Sequence, residues 1–419
     1  MRITRWLERA SPALFSTYAV VMAFTTYFAM YSFRKPFSVA HYAGGAIAGI
    51  DLKSAFIISQ VAGYATSKFA GIKFNSEMKS QQRAWVLVAL IVWAEASLVL
   101  FAVLPPEGKL IALFCNGLPL GTVWGVVFSF LEGRRTSEIL GAGLSCAYVV
   151  ASGAVKSVGS ALLGAGVPEA WMPALTGLLF LPVFLAAVYF LSLIPPPSAA
   201  DVAARTEREP MNKAERRAFI RRFWPGLVAL IFTYLALTSY RDFRDSFVAE
   251  IWEDLGRGKD TSIFTYTEIP IAVTVMAVLA FLYRVQNNRR ALALTYWIMG
   301  IGAVLVGVAT LLFDAGVLPA TPWIILVGLG LYLGYVPYGC VLFDRTIASL
   351  EIVATAVFLI YISDAIAYPG TVAVVLYKTL GQAGVSKLVF FRYFSYATSI
   401  VCIIGFSVAG PYFLRRKTV

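Results

Sequence analysis

The chain has 419 residues, of which 59% are hydrophobic and 14% are charged, and its mean hydropathy is +0.75. This composition excludes an ordinary soluble domain, in which about 25% of residues are charged. The formal net charge of +12 does not indicate nucleic-acid binding, because the basic residues fall mainly in short segments between apolar runs, where they can face anionic lipid.

Twelve apolar runs of membrane-spanning length follow one another along the sequence. An α-helix needs about 20 residues to cross roughly 30 Å of hydrocarbon. The sequence therefore predicts an all-α polytopic membrane protein with twelve transmembrane helices. Their predicted cores are 14–34, 52–72, 84–104, 110–131, 140–164, 170–194, 224–247, 262–283, 290–313, 322–343, 351–377 and 388–413.

The distribution of basic residues predicts the orientation. With twelve spans, 22 Lys and Arg residues lie in the segments on the side of the two termini, and 7 lie in the segments on the other side. Cytoplasmic segments are enriched in Lys and Arg. We therefore expect a multi-pass protein of a cell membrane, such as the bacterial inner membrane, with both termini in the cytoplasm.

The middle of the chain carries a break in the apolar pattern. Residues 196–223 begin with prolines and end in a basic stretch, Lys213 to Arg222, which is typical of an amphipathic helix at a membrane surface. Six spans precede this linker and six follow it. We therefore predict a six-helix bundle over 1–195, a cytoplasmic linker over 196–223 and a second bundle over 224–419, as in transporters built from parallel repeats.

The residue inventory argues against several classes of chemistry. The four cysteines all fall inside apolar runs, and His41 is the only histidine. This excludes a disulfide framework and multi-histidine metal sites, and we expect His41 to be a rim residue at the outer end of span 1. No phosphate-binding glycine-rich loop of the P-loop type occurs. We predict no enzymatic activity, no metal or other cofactor, and a monomer whose partners are the bilayer and a small molecule.

Two short stretches place positive charge in or beside apolar runs. They are the stretch from Tyr31 to Ala40, which contains Arg34 and Lys35, and the stretch 63–69, which contains Lys68. Charges in spans are costly and mark functional sites. A guanidinium offers a planar fork of donors suited to phosphate or carboxylate. The alternative is that Arg34 and Lys35 lie at the membrane edge and extend into water.

These stretches resemble a known family. The pattern Arg34-Lys35-x-Phe37-x-x-Ala40 and the pattern Tyr64-x-x-Ser67-Lys68-Phe69, together with the six-plus-six spans, resemble the major facilitator superfamily and within it the organophosphate:phosphate antiporters. The resemblance implies two six-helix bundles and exchange of an organic phosphate. It also implies a phosphate-binding arginine in span 7, for which Arg241 and Arg244 are the candidates.

Span 7 leaves two interpretations open. Arg241 and Asp245 are four residues apart and can neutralise each other on one helix face. Alternatively, Arg241 or Arg244 supplies a second guanidinium to the ligand. Tyrosine hydroxyls near the two arginine sites can contribute, although aromatic residues at these spacings also serve packing; the candidates are Tyr31 and Tyr240, with Tyr27, Tyr234 and Tyr266.

Further charges lie deep in spans, namely Lys156, Glu268 and Asp364, with Glu95 as a fourth. Buried charges need partners. Lys156 lies about 24 Å from the inner end of its helix and Glu268 about 9 Å from the outer end of its own, so the two depths agree in a membrane of about 30 Å. We predict that Lys156 and Glu268 pair, and that Asp364 binds a proton or faces the cavity.

These residues together predict a secondary active transporter of a small organic anion that works by alternating access. If span 7 pairs internally and Lys156 pairs with Glu268, then Arg34 and Lys68 exceed Asp364 by one positive charge. Glu268 and Asp364 are the candidate proton carriers if an ion is coupled. The alternative function is a transporter-like sensor that binds a ligand without net transport.

Overall fold

A computed structural model describes residues 2–132, 134, 136–198, 201, 213–258, 260–350 and 356–415. Most of these residues are helical, and a short hairpin is the only β-structure they contain. The predicted fold class, an all-α polytopic membrane protein, is confirmed.

The described residues form fifteen α-helices, α1 to α15 in chain order. The first seven are α1 (Arg2–Glu8), α2 (Pro12–Met30), α3 (Leu52–Glu77), α4 (Arg83–Val103), α5 (Pro106–Ser129), α6 (Ser137–Gly164) and α7 (Met172–Ser192). The others are α8 (Lys213–Ser246), α9 (Val248–Asp254), α10 (Ile263–Tyr283), α11 (Asn288–Asp314), α12 (Ala320–Pro337), α13 (Phe343–Leu350), α14 (Ala356–Leu376) and α15 (Lys387–Arg415).

Ten helical segments of the described residues are long and apolar enough to cross a membrane. The helices α3 and α14 lie in the two remaining predicted runs, 52–72 and 351–377. Large apolar side chains such as Trp85, Trp297 and Ile404 are exposed on the helix surfaces. Such side chains are stable in lipid, and a helix satisfies its own backbone hydrogen bonds there.

The chain divides into two compact units. Unit 1 comprises Met1–Arg205, Asp245–Tyr266 and Val375–Gly384, and unit 2 comprises Thr206–Arg244, Thr267–Val374 and Val385–Val419. The last two residues of α8, Asp245 and Ser246, therefore belong to unit 1. The division into bundles 1–195 and 224–419 stays a prediction.

The basic segment from Lys213 to Arg222 is helical but is not a separate element. Helix α8 begins at Lys213 and continues through Pro225 into span 7. A proline in a helix removes one backbone hydrogen bond, and the long apolar stretch that follows Pro225 outweighs this loss. The preceding residues 202–212 of the predicted linker lie outside the described residues.

Helix α2 ends before the predicted end of span 1 at residue 34. After Met30 the backbone tightens into a 3₁₀ turn, Tyr31–Phe33, and a second one, Pro36–Val39. Proline disfavours the helical conformation of the residue before it, here Lys35. The Ser32 and Ser38 hydroxyls donate to the carbonyl oxygens of Ala29 and Lys35. The chain between α2 and the loop thus turns Arg34 and Lys35 away from the course of the helix.

A two-stranded hairpin leads into α3. Ala46–Ile47 pairs antiparallel with Ile50–Asp51, and the turn residues Ala48 and Gly49 have φ values of +51° and +78°. The Asp51 carboxylate accepts a hydrogen bond from the backbone N–H of Ser54 at 2.9 Å, as a helix N-cap does.

Helices α3 and α5 pack backbone to backbone. A Cβ atom at Gly117 would lie 2.7 Å from the backbone N of Tyr64 and 3.1 Å from the carbonyl carbon of Gly63. A Cβ atom at Gly121 would lie 2.7 Å from the carbonyl oxygen of Tyr64. The absence of side chains on α5 at these positions lets α3 approach and fixes the position of Tyr64.

Candidate functional site

A cationic cluster in unit 1 is built on the ring of Tyr64. The Arg34 guanidinium carbon lies 3.8 Å from the centroid of this ring, and Lys68 Nζ lies 5.6 Å from it. Arg34 is 5% exposed and Lys68 is half-buried. The Tyr31 ring centroid lies 6.0 Å from the same Arg34 carbon. Tyr27 packs edge-on against Tyr31.

Two buried carboxamides hold the turn that carries Arg34. Gln60 Nε2 donates to the carbonyl oxygen of Arg34 at 2.9 Å and to Asn116 Oδ1 at 2.8 Å. Asn116 Nδ2 donates to the carbonyl oxygens of Phe33 and Ala94, each at 3.0 Å. Buried polar groups that are fully hydrogen-bonded make a region rigid. Helices α3, α4 and α5 therefore share one network with the backbone at Phe33 and Arg34.

Lys35 has a different environment from its neighbour Arg34. Its ammonium forms an ion pair with Asp245, and Lys156 Nζ lies 2.5 Å from Asp245 Oδ1. The Ser152 hydroxyl also donates to this carboxylate. Lys35 and Lys156 are 7% and 2% exposed. Arg34 and Lys35 are both buried. This disfavours the alternative in which they extend into water at the membrane edge.

Further ion pairs of unit 1 connect the segment after Asp245 to the rim. Lys53 Nζ lies 2.5 Å from Glu250 Oε1, and His41 Nε2 lies 2.9 Å from Glu253 Oε1. The carboxylate of Glu169 accepts hydrogen bonds from the backbone N–H groups of His41 and Tyr42. Burial and the Glu169 charge hold the pKa of Tyr42 well above its usual range. His41 is exposed, as expected for a rim residue.

Unit 2 contains a second arginine stacked on a tyrosine. The Arg241 guanidinium carbon lies 4.3 Å from the centroid of the Tyr335 ring. Arg241 Nη2 lies 2.7 Å from Asp242 Oδ1, and the Thr371 hydroxyl donates to the other oxygen of Asp242 at 3.2 Å. Arg241 is half-buried. Its guanidinium therefore contacts one carboxylate and one aromatic face.

Asp364 belongs to the same cluster. The Tyr234 hydroxyl donates to Asp364 Oδ1 at 2.7 Å, and the Tyr234 and Tyr335 rings are stacked with centroids 5.5 Å apart. The Tyr234 and Tyr335 hydroxyls are 3.3 Å apart. The ring of Tyr335 thus connects Arg241 to the Tyr234 and Asp364 pair.

Arg244, the second candidate in span 7, has a buried partner. Arg244 Nη2 lies 2.8 Å from Glu268 Oε1, and the arginine is 3% exposed. Gly328 leaves room for it, since a Cβ atom there would lie 2.9 Å from Arg244 Nη2. A paired, enclosed guanidinium of this kind is a structural element of unit 2.

Tyr240 is also enclosed within unit 2. Its side chain is fully buried, its ring stacks on Phe391 at 5.0 Å, and its hydroxyl is 2.7 Å from Ser395 Oγ. These contacts are those of a core residue that joins α8 to α15. Tyr266, in contrast, is largely exposed and lies in neither arginine cluster.

A family model described as "Family of unknown function (DUF5690)" matches residues 36–416. The chain belongs to this family. The match covers both units and almost all of the predicted spans. No curated protein matches the chain.

Solved structures give this DUF5690 protein its fold class. A D-xylose-proton symporter superposes with a TM-score of 0.64 at 11% identity, over 97% of this chain and 99% of that chain. A variant of the nucleoside transporter NupG superposes with a TM-score of 0.60 at 11% identity, over 94% of this chain and 99% of that chain. The fold is therefore that of major facilitator transporters, as the sequence predicted.

The structure of this DUF5690 protein brings together some of the predicted site residues and separates others. Arg34, Lys68 and Tyr31 meet at Tyr64, whereas Lys156 pairs with Asp245 and Glu268 pairs with Arg244. Asp245, which could neutralise Arg241 in one of the two interpretations of span 7, contacts Lys35 and Lys156 in unit 1. A Lys156–Glu268 pair would join residues of different units and stays a prediction.

The sequence missed four residues that complete these clusters. Tyr64 belongs to the motif Tyr64-x-x-Ser67-Lys68-Phe69, but the motif does not predict that Arg34 and Lys68 both lie near its ring. Gln60, Asn116 and Tyr335 were not singled out. A buried amide inside an apolar run is the signal that could have identified Gln60 and Asn116, because such groups need hydrogen-bond partners in a membrane.

Proposed function

We propose that this protein is a secondary transporter of a small organic anion in a cell membrane, with both termini in the cytoplasm. The binding residues are exposed alternately to the two sides of the membrane. Arg34 and Lys68 bind the anion in unit 1, and Arg241 provides a guanidinium in unit 2. Arg244 and Tyr240 have structural roles in this proposal, because both are enclosed by partners of their own.

The observation that carries the proposal is the pair of cations on one tyrosine ring in unit 1. Two like charges within reach of one ring repel each other, and an anion bound between them offsets this repulsion. The Tyr64 face attracts each cation without neutralising it. A phosphate or carboxylate suits this pair, because its oxygens accept charge-assisted hydrogen bonds from a guanidinium and from an ammonium.

The deeper charges of unit 1 also favour an anion. The cationic side chains named there are Arg34, Lys35, Lys68 and Lys156, and two of them, Lys35 and Lys156, contact the carboxylate of Asp245. A positive excess between low-dielectric walls concentrates anions and repels cations. The clusters of unit 2 carry both signs, since Arg241 is accompanied by Asp242 and Asp364.

The ligand class can be tested by thermal stability, because a ligand that binds the native state stabilises it. Purified protein is screened against glycerol 3-phosphate, a hexose phosphate, inorganic phosphate and small carboxylates. D-xylose and a nucleoside are included, since these uncharged solutes are named for the similar structures. We expect stabilisation by at least one anion in the wild type and its loss in Arg34→Gln. Stabilisation by an uncharged solute alone would contradict the proposal.

The coupling of transport requires a second assay. Exchange of internal for external anion in proteoliposomes identifies an antiporter, and net uptake driven by an ion gradient identifies a symporter. A sensor binds the anion in the thermal assay but produces neither flux. Asp364→Asn should retain anion binding in all these cases, since removal of a negative charge does not weaken attraction to an anion.

A further inference from the structure

Glu95 is a buried carboxyl group that the proposed anion site does not use. It lies in the middle of α4, 8% exposed, about 12 Å along the helix from Val103. Neither carboxyl oxygen has a hydrogen-bond partner among the described residues. An ionised carboxylate without a partner in apolar surroundings is very costly, whereas a protonated carboxyl group is tolerated.

The space around Glu95 is shaped to hold its carboxyl group. Gly177 of α7 lies against it, and a Cβ atom at this glycine would collide with Glu95 Oε2 and lie 3.2 Å from the carboxyl carbon. The same Cβ would lie 3.0 Å from the Phe33 ring. The carboxyl group therefore lies against Gly177 of α7, at a position where the Phe33 ring is also close.

The titratable groups on the elements that pack against α4 lie elsewhere on those elements or have partners other than Glu95. On α7 the only one among the described residues is Tyr189, 12 residues from Gly177, or about 18 Å along the helix. On α5, Lys109 Nζ donates to the Phe101 carbonyl oxygen at 2.5 Å, Glu107 is exposed and Cys115 is half-buried. At the turn, Tyr31 and Arg34 lie in the cluster on Tyr64. The turn before α4 adds Lys79, and α4 itself adds Arg83 about 18 Å away.

A hydrogen-bond network links the backbone beside Glu95 to the proposed anion site. Asn116 donates to the carbonyl oxygen of Ala94, the residue before Glu95, and to that of Phe33, the residue before Arg34. Gln60 extends the connection to the carbonyl oxygen of Arg34 itself. A change in the charge or position of Glu95 therefore shifts the same network that holds Arg34.

We propose that Glu95 is a proton-binding site linked to anion binding at Arg34. The proton comes from bulk water, binds one carboxyl oxygen and returns to bulk water when the turn Tyr31–Phe33 moves; no other bond changes. Protonation removes a negative charge from unit 1, so it favours the anion, and the anion in turn favours protonation because linkage is reciprocal. This inference rests on the proposed function and adds the proton as coupling ion.

The protonation state can be measured directly, without any ligand. Infrared difference spectra of the purified protein, titrated from acid to alkaline pH, should show the C=O stretch of a protonated carboxyl group that disappears in Glu95→Gln. Glu107→Gln is the matched control, because it makes the same change at an exposed position on α5 and should leave the band intact. A spectrum in which Glu95→Gln removes no such band overturns the proposal.

The linkage is measured as the pH dependence of anion binding, with inorganic phosphate and glycerol 3-phosphate as probes. Wild-type affinity should fall about fivefold or more as pH rises through the titration of Glu95, which is within the usual range of coupling between two sites. Glu95→Gln mimics the protonated form, so it should keep the low-pH affinity at every pH. The difference between the two proteins cancels the titration of the probe itself.

The outcomes separate this proposal from the proposed function. Equal pH dependence in wild type and Glu95→Gln overturns the linkage, while binding of the probes still supports the anion assignment. Failure of both probes and of the other anions to bind contradicts the proposed function, and it also overturns the linkage. In that case the infrared band still decides whether Glu95 holds a proton.

Discussion

Arg241 and Arg244 show how partners decide the role of a buried charge. They lie three residues apart on α8, yet Arg244 is enclosed with Glu268, and Arg241 is half-buried on the face of Tyr335. The sequence identified both arginines but could not choose between them. The choice depends on Glu268, Gly328 and Tyr335, which are distant in sequence and come together in the folded unit.

The two arginines should therefore respond differently to neutralisation. Arg244→Gln leaves Glu268 buried without its partner and should destabilise the protein by about 3–5 kcal/mol. The double variant Arg244→Gln, Glu268→Gln should recover much of this loss. Thermal unfolding of detergent-purified protein measures both effects. A double variant whose loss equals the sum of the two single losses would show that the pair does not stabilise unit 2.

Arg241→Gln should destabilise the protein less than Arg244→Gln does and should weaken anion binding. The physical reason is that Arg241 is half-buried and that Asp242 keeps its hydrogen bond from Thr371, whereas the proposed anion loses a guanidinium. Binding by the same thermal assay is the measurement. Unchanged anion affinity in this variant would move the ligand site of unit 2 away from Arg241.

Arg34→Lys tests the geometry of the anion site rather than its charge. An ammonium cannot form the two parallel hydrogen bonds of a guanidinium, so we expect a loss of roughly tenfold to a hundredfold in anion affinity, or about 1.4 kcal/mol for each tenfold. Arg257→Lys, at an exposed position, is the matched control. Near-normal affinity in Arg34→Lys would mean that the site needs only a positive charge there.

At the scale of elements, the periodicity and length of the apolar runs predicted the helices well and their irregular ends poorly. The break after Met30 depends on Pro36 and on two serine hydroxyls, and a run of apolar residues such as Tyr31 and Phe33 conceals it. The opposite error occurred at α8. The amphipathic helix predicted from Lys213 to Arg222 and the span predicted over 224–247 form one helix that begins at Lys213, because the apolar stretch keeps the whole segment helical.

The close packing of α3 on α5 gives a prediction for Gly117. Gly117→Ala forces a Cβ atom against the backbone of α3 near Tyr64, so we expect a loss of about 1–3 kcal/mol in stability together with weaker anion binding. Gly300→Ala is the matched control, since no atom lies within 4 Å of the added Cβ. Thermal unfolding with and without phosphate measures both effects. Equal behaviour of the two variants would contradict the role of α5 in positioning Tyr64.

At the scale of the whole molecule, composition and hydropathy were sufficient to predict the fold class, because a membrane allows few solutions for a chain of this kind. Composition and hydropathy do not predict which charged side chains form ion pairs. Depth along a helix ranks candidate partners, but the rotation of each helix about its axis decides which side chains meet. Lys156 illustrates this limit: its depth made Glu268 a candidate partner, which stays a prediction, but depth gave no sign of the contact with Asp245 in unit 1.

The most direct test of the account is anion flux in proteoliposomes containing the purified protein. Wild-type vesicles should accumulate the anion identified by the thermal screen, Arg34→Gln vesicles should not, and Asp364→Asn vesicles should still bind it. Vesicles that transport an uncharged sugar or nucleoside but no anion, with Asp364 required for binding, would contradict the assignment of an organic anion as substrate.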